Sequence, residues 1–193
     1  MSAETPVINN RICGIYQIPF YNPEFCEALI NLSEEKEVWE PAELERGVKK
    51  DESRKTFICE AGKLDPTGEI LVPPIKDLLH TIYDLNKNSW NFSLYSDLLE
   101  TTFLKYMTGD HYSAWHTDIS NEASLRKISF SIQLSKEDDY EGGALQFLNN
   151  DIPTIRNQGS VIIFPSFLAH RVSEITKGTR YAVIGFISGP PFK

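Results

Sequence analysis

The sequence is poor in the residues and runs that several classes of protein need. It has only 3 cysteines, Cys13, Cys26 and Cys59, without the close spacing of a zinc site or the even number typical of a disulfide scaffold. Scattered thiols of this kind predict a reduced, cytoplasmic protein. No apolar run approaches the roughly 20 residues of a membrane helix, and the polar N-terminus lacks the basic start and apolar run of a signal peptide. Neither a membrane nor export is therefore expected.

Basic residues are also few relative to acidic ones. The chain of 193 residues carries 19 Lys and Arg against 27 Asp and Glu, which gives a formal net charge of -8. Such a surface repels polyanions, so no nucleic-acid partner is expected. The length suits one ordinary domain with a sizeable core. We therefore predict a single domain over residues 1–193, in which 1–90 support a core formed by 91–193, and no feature predicts an oligomeric state.

The N-terminal half has signals for strands and for two helices. Residues 11–20 are rich in β-branched and aromatic side chains and predict a strand. The segment from Asn22 to Glu24 supplies a cap, a proline at the first helical position and an acidic residue, which together predict a helix start. A second helix is predicted from Pro73 by its apolar stripe. Between the helices, residues 40–53 are predicted as a loop and residues 55–60 as a strand.

The C-terminal half changes to short strand-like runs separated by turn sequences. The runs carry β-branched and aromatic residues, and the separators carry Gly, Asn and Asp. The predicted strands are residues 92–95, 101–107, 127–134, 144–147, 152–155, 160–164, 171–175 and 181–187. Many short strands at regular spacing favour a β-sandwich or barrel, here braced by the helices.

Two histidines and one aspartate form a candidate metal site, called the triad below: His116, Asp118 and His170. One residue separates the first two, so an extended backbone would turn both toward one ion. Two imidazoles and a carboxylate that leave open positions are typical of non-haem Fe(II) oxygenases. A chance match of the short motif would be a surface turn. The other histidines, His80 on a predicted helix and His111 in a predicted loop, have no partner pattern.

Four motifs in a fixed order surround the triad. They are Y-x2-G-D-x-Y-x3-H-x-D at 106–118, G-G-A-L-x-F at 142–147, G-S-V-I-I-F-P-S-x3-H-R-V-S at 159–173 and G-x-R-Y at 178–181. Together they resemble the prolyl-4-hydroxylase-like family of Fe(II)/2-oxoglutarate-dependent dioxygenases. The resemblance implies a double-stranded β-helix, a cupin-like jelly-roll barrel with the metal at one open end. The expected fold class is mainly β with N-terminal helices (α+β), although residues 1–90 carry no family signature.

The resemblance also implies roles for individual residues. The triad would hold the iron, and Arg180 would bind the far carboxylate of 2-oxoglutarate, which its planar guanidinium suits. Tyr106 would direct its hydroxyl to the same carboxylate or, alternatively, pack inside the barrel as an aromatic core residue. Arg126 resembles a substrate-side arginine of some prolyl hydroxylases, with a solvated salt bridge as the alternative.

The implied reaction is hydroxylation of an unactivated C–H bond, coupled to decarboxylation of 2-oxoglutarate to succinate and CO2. Its cofactor and co-substrates are Fe(II), 2-oxoglutarate and O2, with L-ascorbate as a candidate auxiliary reductant. Halogenating relatives have a small residue at the position of Asp118, so the aspartate favours hydroxylation. The leading substrate is a prolyl residue of a peptide or protein, and a free amino acid or other small molecule is the alternative.

Two further hypotheses are disfavoured by the residues present. A nucleic-acid demethylase of this family would carry a second arginine downstream of Arg180, and the acidic charge also argues against it. A non-catalytic jelly-roll binding protein would have lost part of the triad or Arg180, and all of these are present. The charged segments 40–53 and 135–141 are long enough to close over a site, with plain solvated loops as the alternative.

Overall fold

The computed structural model describes residues 14–36, 38–42, 53–96, 99–119, 124–148 and 153–192. Over these residues the chain forms helices and mostly short strands. The helices are α1 (Pro23–Glu35), α2 (Ala61–Leu64) and α3 (Val72–Asn88). The strands are β1 (Tyr16–Pro19), β2 (Glu40–Pro41), β3 (Arg54–Lys55), β4 (Phe57–Glu60), β5 (Leu99–Met107), β6 (His111–His116), β7 (Arg126–Gln133), β8 (Tyr140–Gly142), β9 (Leu145–Phe147), β10 (Ser160–Pro165), β11 (His170–Val172) and β12 (Ile175–Ser188).

The strands form two antiparallel sheets. The major sheet has the order β1-β10-β7-β12-β5-β4-β2, and β8 pairs with the start of β12. The minor sheet has the order β3-β6-β11-β9. One hydrophobic cluster joins the inner faces of both sheets, with Leu104 and Ile162 from the major sheet and Leu145 and Val172 from the minor one. This is the predicted jelly-roll barrel, and the mainly β fold class with helices in the N-terminal half is confirmed.

Strand β7 separates two different cores. Its residues Ile128, Phe130 and Ile132 belong to a cluster that also contains the buried faces of α1 and α3. Because successive side chains of a strand point to opposite faces, the alternate residues turn toward the barrel interior. These are Ser129, Ser131 and Gln133, and all of them are buried. The strand therefore packs the helices against one face and lines the barrel with polar groups on the other.

Helix α1 begins where its sequence signal predicts. The side chain of Asn22 accepts a hydrogen bond from the backbone N–H of Phe25 at 2.8 Å, and Pro23 occupies the first turn, where its missing N–H costs nothing. The buried residues Cys26 and Leu29 then pack against the major sheet. No helix of the described residues is long and apolar enough to span a membrane.

Two strand predictions were wrong because side chains form hydrogen bonds with backbone groups that a strand would use for pairing. Residues 92–95 form no strand, since the buried Asn86 donates to the carbonyl of Phe92 and accepts from its N–H, both at 2.9 Å. In the predicted strand 152–155, the described residues 153–155 are irregular, and Ile155 N–H donates to the side chain of Gln17. Residue 152 lies outside the described residues.

The segments around the predicted loops also differ from expectation. The predicted strand 55–60 divides at Thr56 into β3 and β4, which join different sheets. His111, predicted as a loop residue, instead begins β6, because β3 and β11 pair with this strand on either side. Within the predicted loop 135–141, a short 3-10 turn precedes β8. Of the predicted loop 40–53, residues 43–52 lie outside the described residues, as do residues 11–13 of the first predicted strand.

Replacing Asn86 with alanine should destabilise the protein. The change leaves the backbone N–H and carbonyl of Phe92 without their partners, and we expect the free energy of unfolding to fall by about 2 kcal/mol. Urea denaturation followed by tryptophan fluorescence measures this loss. Asn88→Ala is the matched control, since the exposed Asn88 bonds only to its own helix. Equal stability of the two variants would contradict the assignment.

Candidate metal centre

The triad lies where the minor sheet faces the major one. His116 is the last residue of β6 and His170 the first of β11, and the two are direct cross-strand partners. Asp118 follows β6, and its backbone N–H donates to the carbonyl of Ser166 at 2.9 Å. One ligand atom from each triad residue lies within 4.8 Å of the other two. The structure thus brings together the three residues that the sequence predicted as metal ligands.

Both imidazoles are held in the same tautomer. Nδ1 of His116 lies 3.1 Å from the carbonyl oxygen of Ala114, and Nδ1 of His170 lies 2.9 Å from that of Leu168. A carbonyl oxygen only accepts hydrogen bonds, so each Nδ1 carries the proton and donates it. Each Nε2 is therefore left with a free lone pair, which is how histidine ligands are oriented in metal sites.

The two Nε2 atoms point toward the carboxylate of Asp118. His116 Nε2 lies 3.9 Å from Oδ1, and His170 Nε2 lies 3.6 Å from Oδ2. Burial and the neighbouring His170 lower the pKa of His116 to about 4, so at neutral pH this imidazole is uncharged and forms no ion pair with the carboxylate. Two imidazole Nε2 atoms and one carboxylate thus converge on one region. A divalent cation that accepts imidazole and carboxylate ligands, such as Fe(II), fits this donor set.

The carboxylate of Asp118 is fixed from the major sheet. The hydroxyl of Ser129 on β7 donates to its Oδ2 at 2.6 Å and lies 2.9 Å from the hydroxyl of Ser166. Both serines are buried. This contact leaves Oδ1 for a metal ion, and outer hydrogen bonds of this kind orient a ligand carboxylate.

Aromatic packing fixes the planes of the two imidazoles. The ring of Tyr112 stacks on His116 with a centroid separation of 3.7 Å. Phe164 meets His170 edge to face at 4.9 Å, and Phe147 packs against Phe164 at the same separation. These contacts restrict the rotation of both ligands and shield them from water.

Arg180 extends into the barrel from the middle of β12, rather than from the start of the last strand as predicted. Its side chain is buried, with a relative exposure of 2%. Nη2 donates to Oε1 of Gln133 at 2.7 Å, and the amide of Gln133 is oriented in turn by donating to Ser131. The guanidinium carbon lies 5.6 Å from the centroid of the Tyr106 ring. A buried cation with only neutral partners among the described residues is suited to receive an anion.

The Gly-Gly motif makes room for this arginine. Gly143 has a φ of 62°, and a Cβ at this position would lie 3.2 Å from Cδ of Arg180 and 2.2 Å from the side chain of Ile175. A larger residue would therefore displace the wall of the barrel beside Arg180. The sequence motif at 142–147 is explained by this close approach.

Tyr106 is fully enclosed beside Arg180, as its cross-strand partner. Burial raises the pKa of its hydroxyl, although the positive charges of Arg180 and Arg54 act in the opposite direction. The hydroxyl is therefore protonated and able to donate. Its ring also belongs to the hydrophobic cluster inside the barrel, so the two alternatives raised by the sequence are both compatible with its position.

Arg126 lies at the start of β7, opposite Ser188. Its Nη2 forms an ion pair with Glu100, and its guanidinium carbon lies 3.7 Å from the centroid of the Phe186 ring. The salt bridge that the sequence left open is thus present. Nε is nevertheless buried and has no hydrogen-bond partner among the described residues.

Sequence reasoning missed the residues that support the site. Ser129 and Gln133 hold Asp118 and Arg180, and Tyr112 covers His116. The sequence did contain a pattern that could have identified Ser129 and Gln133, because polar residues alternate with Ile and Phe along β7. Of the histidines outside the triad, His80 is exposed on α3, and His111 Nδ1 lies 3.3 Å from the carbonyl of Ser53.

Comparison with known sequences identifies the same region. Residues 101–188 match the 2OG-Fe(II) oxygenase superfamily. A PKHD-type hydroxylase of Idiomarina loihiensis is 33% identical over 88 residues, covering 45% of this chain and 40% of that protein. A PKHD-type hydroxylase of Prochlorococcus marinus is 28% identical over 159 residues, covering 81% of this chain and 69% of that protein. This chain therefore spans less than half of the first relative and about two thirds of the second.

Solved structures share the fold. A prolyl-4-hydroxylase of Pseudomonas putida superposes with a TM-score of 0.68 at 18% identity, over 93% of this chain and 95% of that one. A prolyl hydroxylase of Trichoplax adhaerens, in complex with a peptide fragment of the hypoxia inducible factor oxygen degradation domain, gives a TM-score of 0.75 at 17% identity, over 93% and 85% of the two chains. At these identities the likeness is one of fold.

Replacing Ser129 with alanine should weaken metal binding, because it removes the hydroxyl that orients Asp118. We expect the affinity for Fe(II) to fall about 10- to 100-fold, the usual effect of losing an outer partner of a ligand. An anaerobic Fe(II) titration measures it. Ser131→Ala, two positions along the same face of β7, is the matched control and should bind Fe(II) as the unchanged protein does. Full Fe(II) affinity in Ser129→Ala would contradict the role of this contact.

Proposed function

We propose that this chain is a 2OG-Fe(II) oxygenase that hydroxylates a prolyl residue of a peptide or protein, since residues 101–188 match that superfamily and the fold is similar to that of prolyl-4-hydroxylases. The observation that carries the proposal is the geometry of the triad, together with the buried Arg180 in the same barrel. Two imidazoles and a carboxylate converge, and the guanidinium of Arg180 has only neutral partners among the described residues. The first part suits Fe(II), and the second suits the carboxylate of 2-oxoglutarate.

The proposed binding residues for Fe(II) and for 2-oxoglutarate come from different sheets. Nε2 of His116, Nε2 of His170 and Oδ1 of Asp118 would hold Fe(II). Arg180, on the major sheet, would bind the far carboxylate of 2-oxoglutarate, and the protonated hydroxyl of Tyr106 would donate to the same carboxylate. When bound, Fe(II) and 2-oxoglutarate activate O2 to oxidise an unactivated C–H bond, and 2-oxoglutarate becomes succinate and CO2.

The protein's own contribution is to orient and to exclude water. Ser129 keeps Asp118 turned toward the histidines, while the rings of Tyr112 and Phe164 hold the imidazoles in place. Gln133 fixes the direction of the Arg180 guanidinium. Such preorganisation places the target C–H bond against the oxidising centre at no further cost of ordering side chains.

Arg126 is proposed as the substrate-side residue. Its planar group lies over Phe186, and its buried Nε is a donor without an acceptor in the described part of the chain, so a carbonyl oxygen of a bound peptide would satisfy it. Glu100 holds the guanidinium in this position. The segments 40–53 and 135–141 stay candidate lids, and L-ascorbate stays a candidate reductant.

The peptide as substrate is supported by the fold likeness to prolyl hydroxylases, one of them solved with a peptide fragment. The curated relatives are named hydroxylases without a stated substrate. A free amino acid or other small molecule remains the alternative hypothesis. The cytoplasmic location stays a prediction, supported by Cys26 and Cys59, which are buried and free of disulfides.

Replacing Arg180 with methionine should abolish most of the affinity for 2-oxoglutarate. Truncating one partner of a buried charge pair costs about 2–5 kcal/mol, so we expect the dissociation constant to rise about 100-fold. Anaerobic titration of the Fe(II)-loaded protein, followed by its visible charge-transfer band, measures it. Lys177→Met on the same strand is the control, because its exposed side chain pairs only with Glu141. An unchanged dissociation constant in Arg180→Met would refute the assigned role.

Incubation with a panel of proline-rich peptides tests the substrate. We expect mass spectrometry to find a gain of one oxygen on a prolyl residue, with succinate formed in equal amount. Asp118→Ala should form neither product, and its unchanged thermal melting would show that it is folded. Hydroxylation of free amino acids with no gain in any peptide would overturn the peptide substrate while leaving the reaction type intact.

A further inference from the structure

A second arginine approaches the triad from the minor sheet. Arg54 lies on β3 directly opposite Tyr112 of β6. Its guanidinium carbon is 5.1 Å from the centroid of the Tyr112 ring, and that ring stacks on the imidazole of His116. The Tyr112 ring thus lies between the guanidinium of Arg54 and the imidazole of the candidate ligand His116.

The position of Arg54 is on the inner face of the sheet. Tyr112 lies an even number of residues from His116 on β6 and packs against the cluster inside the barrel. Arg54 is its directly paired neighbour, and paired residues of adjacent strands share a face. The charge of Arg54 also acts on both His116 and Tyr106, since it lowers the pKa of each. Arg54 is therefore part of the surroundings of the candidate metal centre.

Arg54 lacks the partner that its neighbours have. Lys55 pairs with Asp110, and Arg126 pairs with Glu100. Among the residues that the structure describes, no carboxylate pairs with Arg54, and its Nε is buried without a hydrogen-bond partner. An unsatisfied buried donor in a native structure calls for an explanation, and an absent ligand is one.

The charges around the site show what kind of ligand is missing. The charges of Fe(II), Asp118, Arg180 and doubly ionised 2-oxoglutarate sum to zero. Arg126 is neutralised by Glu100. Among the described residues, Arg54 therefore leaves one positive charge in surplus at the site, although the whole chain has a net charge of -8. Uncompensated charge at a partly buried position favours a ligand of opposite sign.

We propose that Arg54 determines specificity by binding a carboxylate of the primary substrate. This inference rests on the proposed function, and it names the substrate class more closely as a peptide with Asp or Glu beside the hydroxylated proline. Arginine is suited to this role, because its planar group stacks on an aromatic ring while its N–H groups bind a carboxylate in two-pronged fashion. The Tyr112 ring supplies the stacking surface.

Binding of matched peptides tests the proposal without turnover. Fluorescently labelled peptides that carry Glu-Pro or Gln-Pro in the same flanking sequence, and Pro-Glu or Pro-Gln likewise, are titrated against protein loaded with Mn(II) and 2-oxoglutarate. Fluorescence anisotropy gives the dissociation constants. The unchanged protein should bind an acidic peptide about tenfold more tightly than its amide counterpart, as expected for one charged hydrogen-bonded pair.

Arg54→Met should remove this preference, and Arg54→Lys should restore part of it. Arg171→Met is the matched control: Arg171 also stacks on a ring, that of Trp115, but it alternates with His170 and lies on the outer face of the same sheet. This control should keep the full preference. All three variants should bind 2-oxoglutarate within about twofold of the unchanged protein by the charge-transfer titration, which also shows that they are folded.

Four outcomes would overturn the proposal. The first three are an acidic preference that persists in Arg54→Met, equal binding of acidic and amide peptides by the unchanged protein, and loss of 2-oxoglutarate affinity in Arg54→Met, which would place Arg54 on the co-substrate instead. Absence of peptide binding by a protein that binds 2-oxoglutarate would also overturn it. Failure of the proposed function is distinct: a missing charge-transfer band would refute the Fe(II)/2-oxoglutarate chemistry, and hydroxylation of free amino acids without any peptide product would refute the peptide substrate.

Discussion

The hydrogen bond from Ser129 to Asp118 is the contact on which the site depends. Asp118 follows a strand of the minor sheet, whereas Ser129 lies on the major sheet. The backbone of Asp118 is tied to Ser166, which follows another strand of the major sheet. With its carboxylate held by Ser129 and its backbone by Ser166, Asp118 cannot turn away from His116 and His170 without breaking contacts between the sheets. The closure of the barrel and the geometry of the metal centre are therefore the same constraint.

Strand β7 shows how the fold accommodates that constraint. Buried polar side chains are stable only when they are hydrogen-bonded, and Ser129, Ser131 and Gln133 bond to Asp118, to one another and to Arg180. The opposite face of the strand supplies the apolar contact that these residues lack. Phe130 fills the space left by its partner Gly185, where a Cβ would come within 2.1 Å of the ring. Packing of the helices on this face thus supports a polar barrel interior.

The triad, Arg180 and the fold class could be predicted because ordered motifs along the chain resemble those of a known family. His116 and Asp118 are close in sequence, and the helices begin near the cap Asn22 and near Pro73, in the first turn of the second predicted helix. Prediction failed where a distant partner decides the structure. Residues 111–116 are a strand only because β3 and β11 flank them. Arg54 gave no signal, since its relation to Tyr112 arises from a pairing between segments more than fifty residues apart.

The barrel interior is adapted to ligands rather than to stability. Arg180 is buried with only neutral partners among the described residues, an arrangement that costs desolvation energy without the return of an ion pair. The triad likewise brings together three donors that gain little from one another. Apolar replacements at these positions would stabilise the empty fold. Such local violations of good packing are expected at functional sites. An anion bound to Arg180 would offset the desolvation energy of its charge, and a cation bound to the triad would offset the cost of bringing its three donors together. Ligand binding and the stability of the barrel should accordingly be coupled.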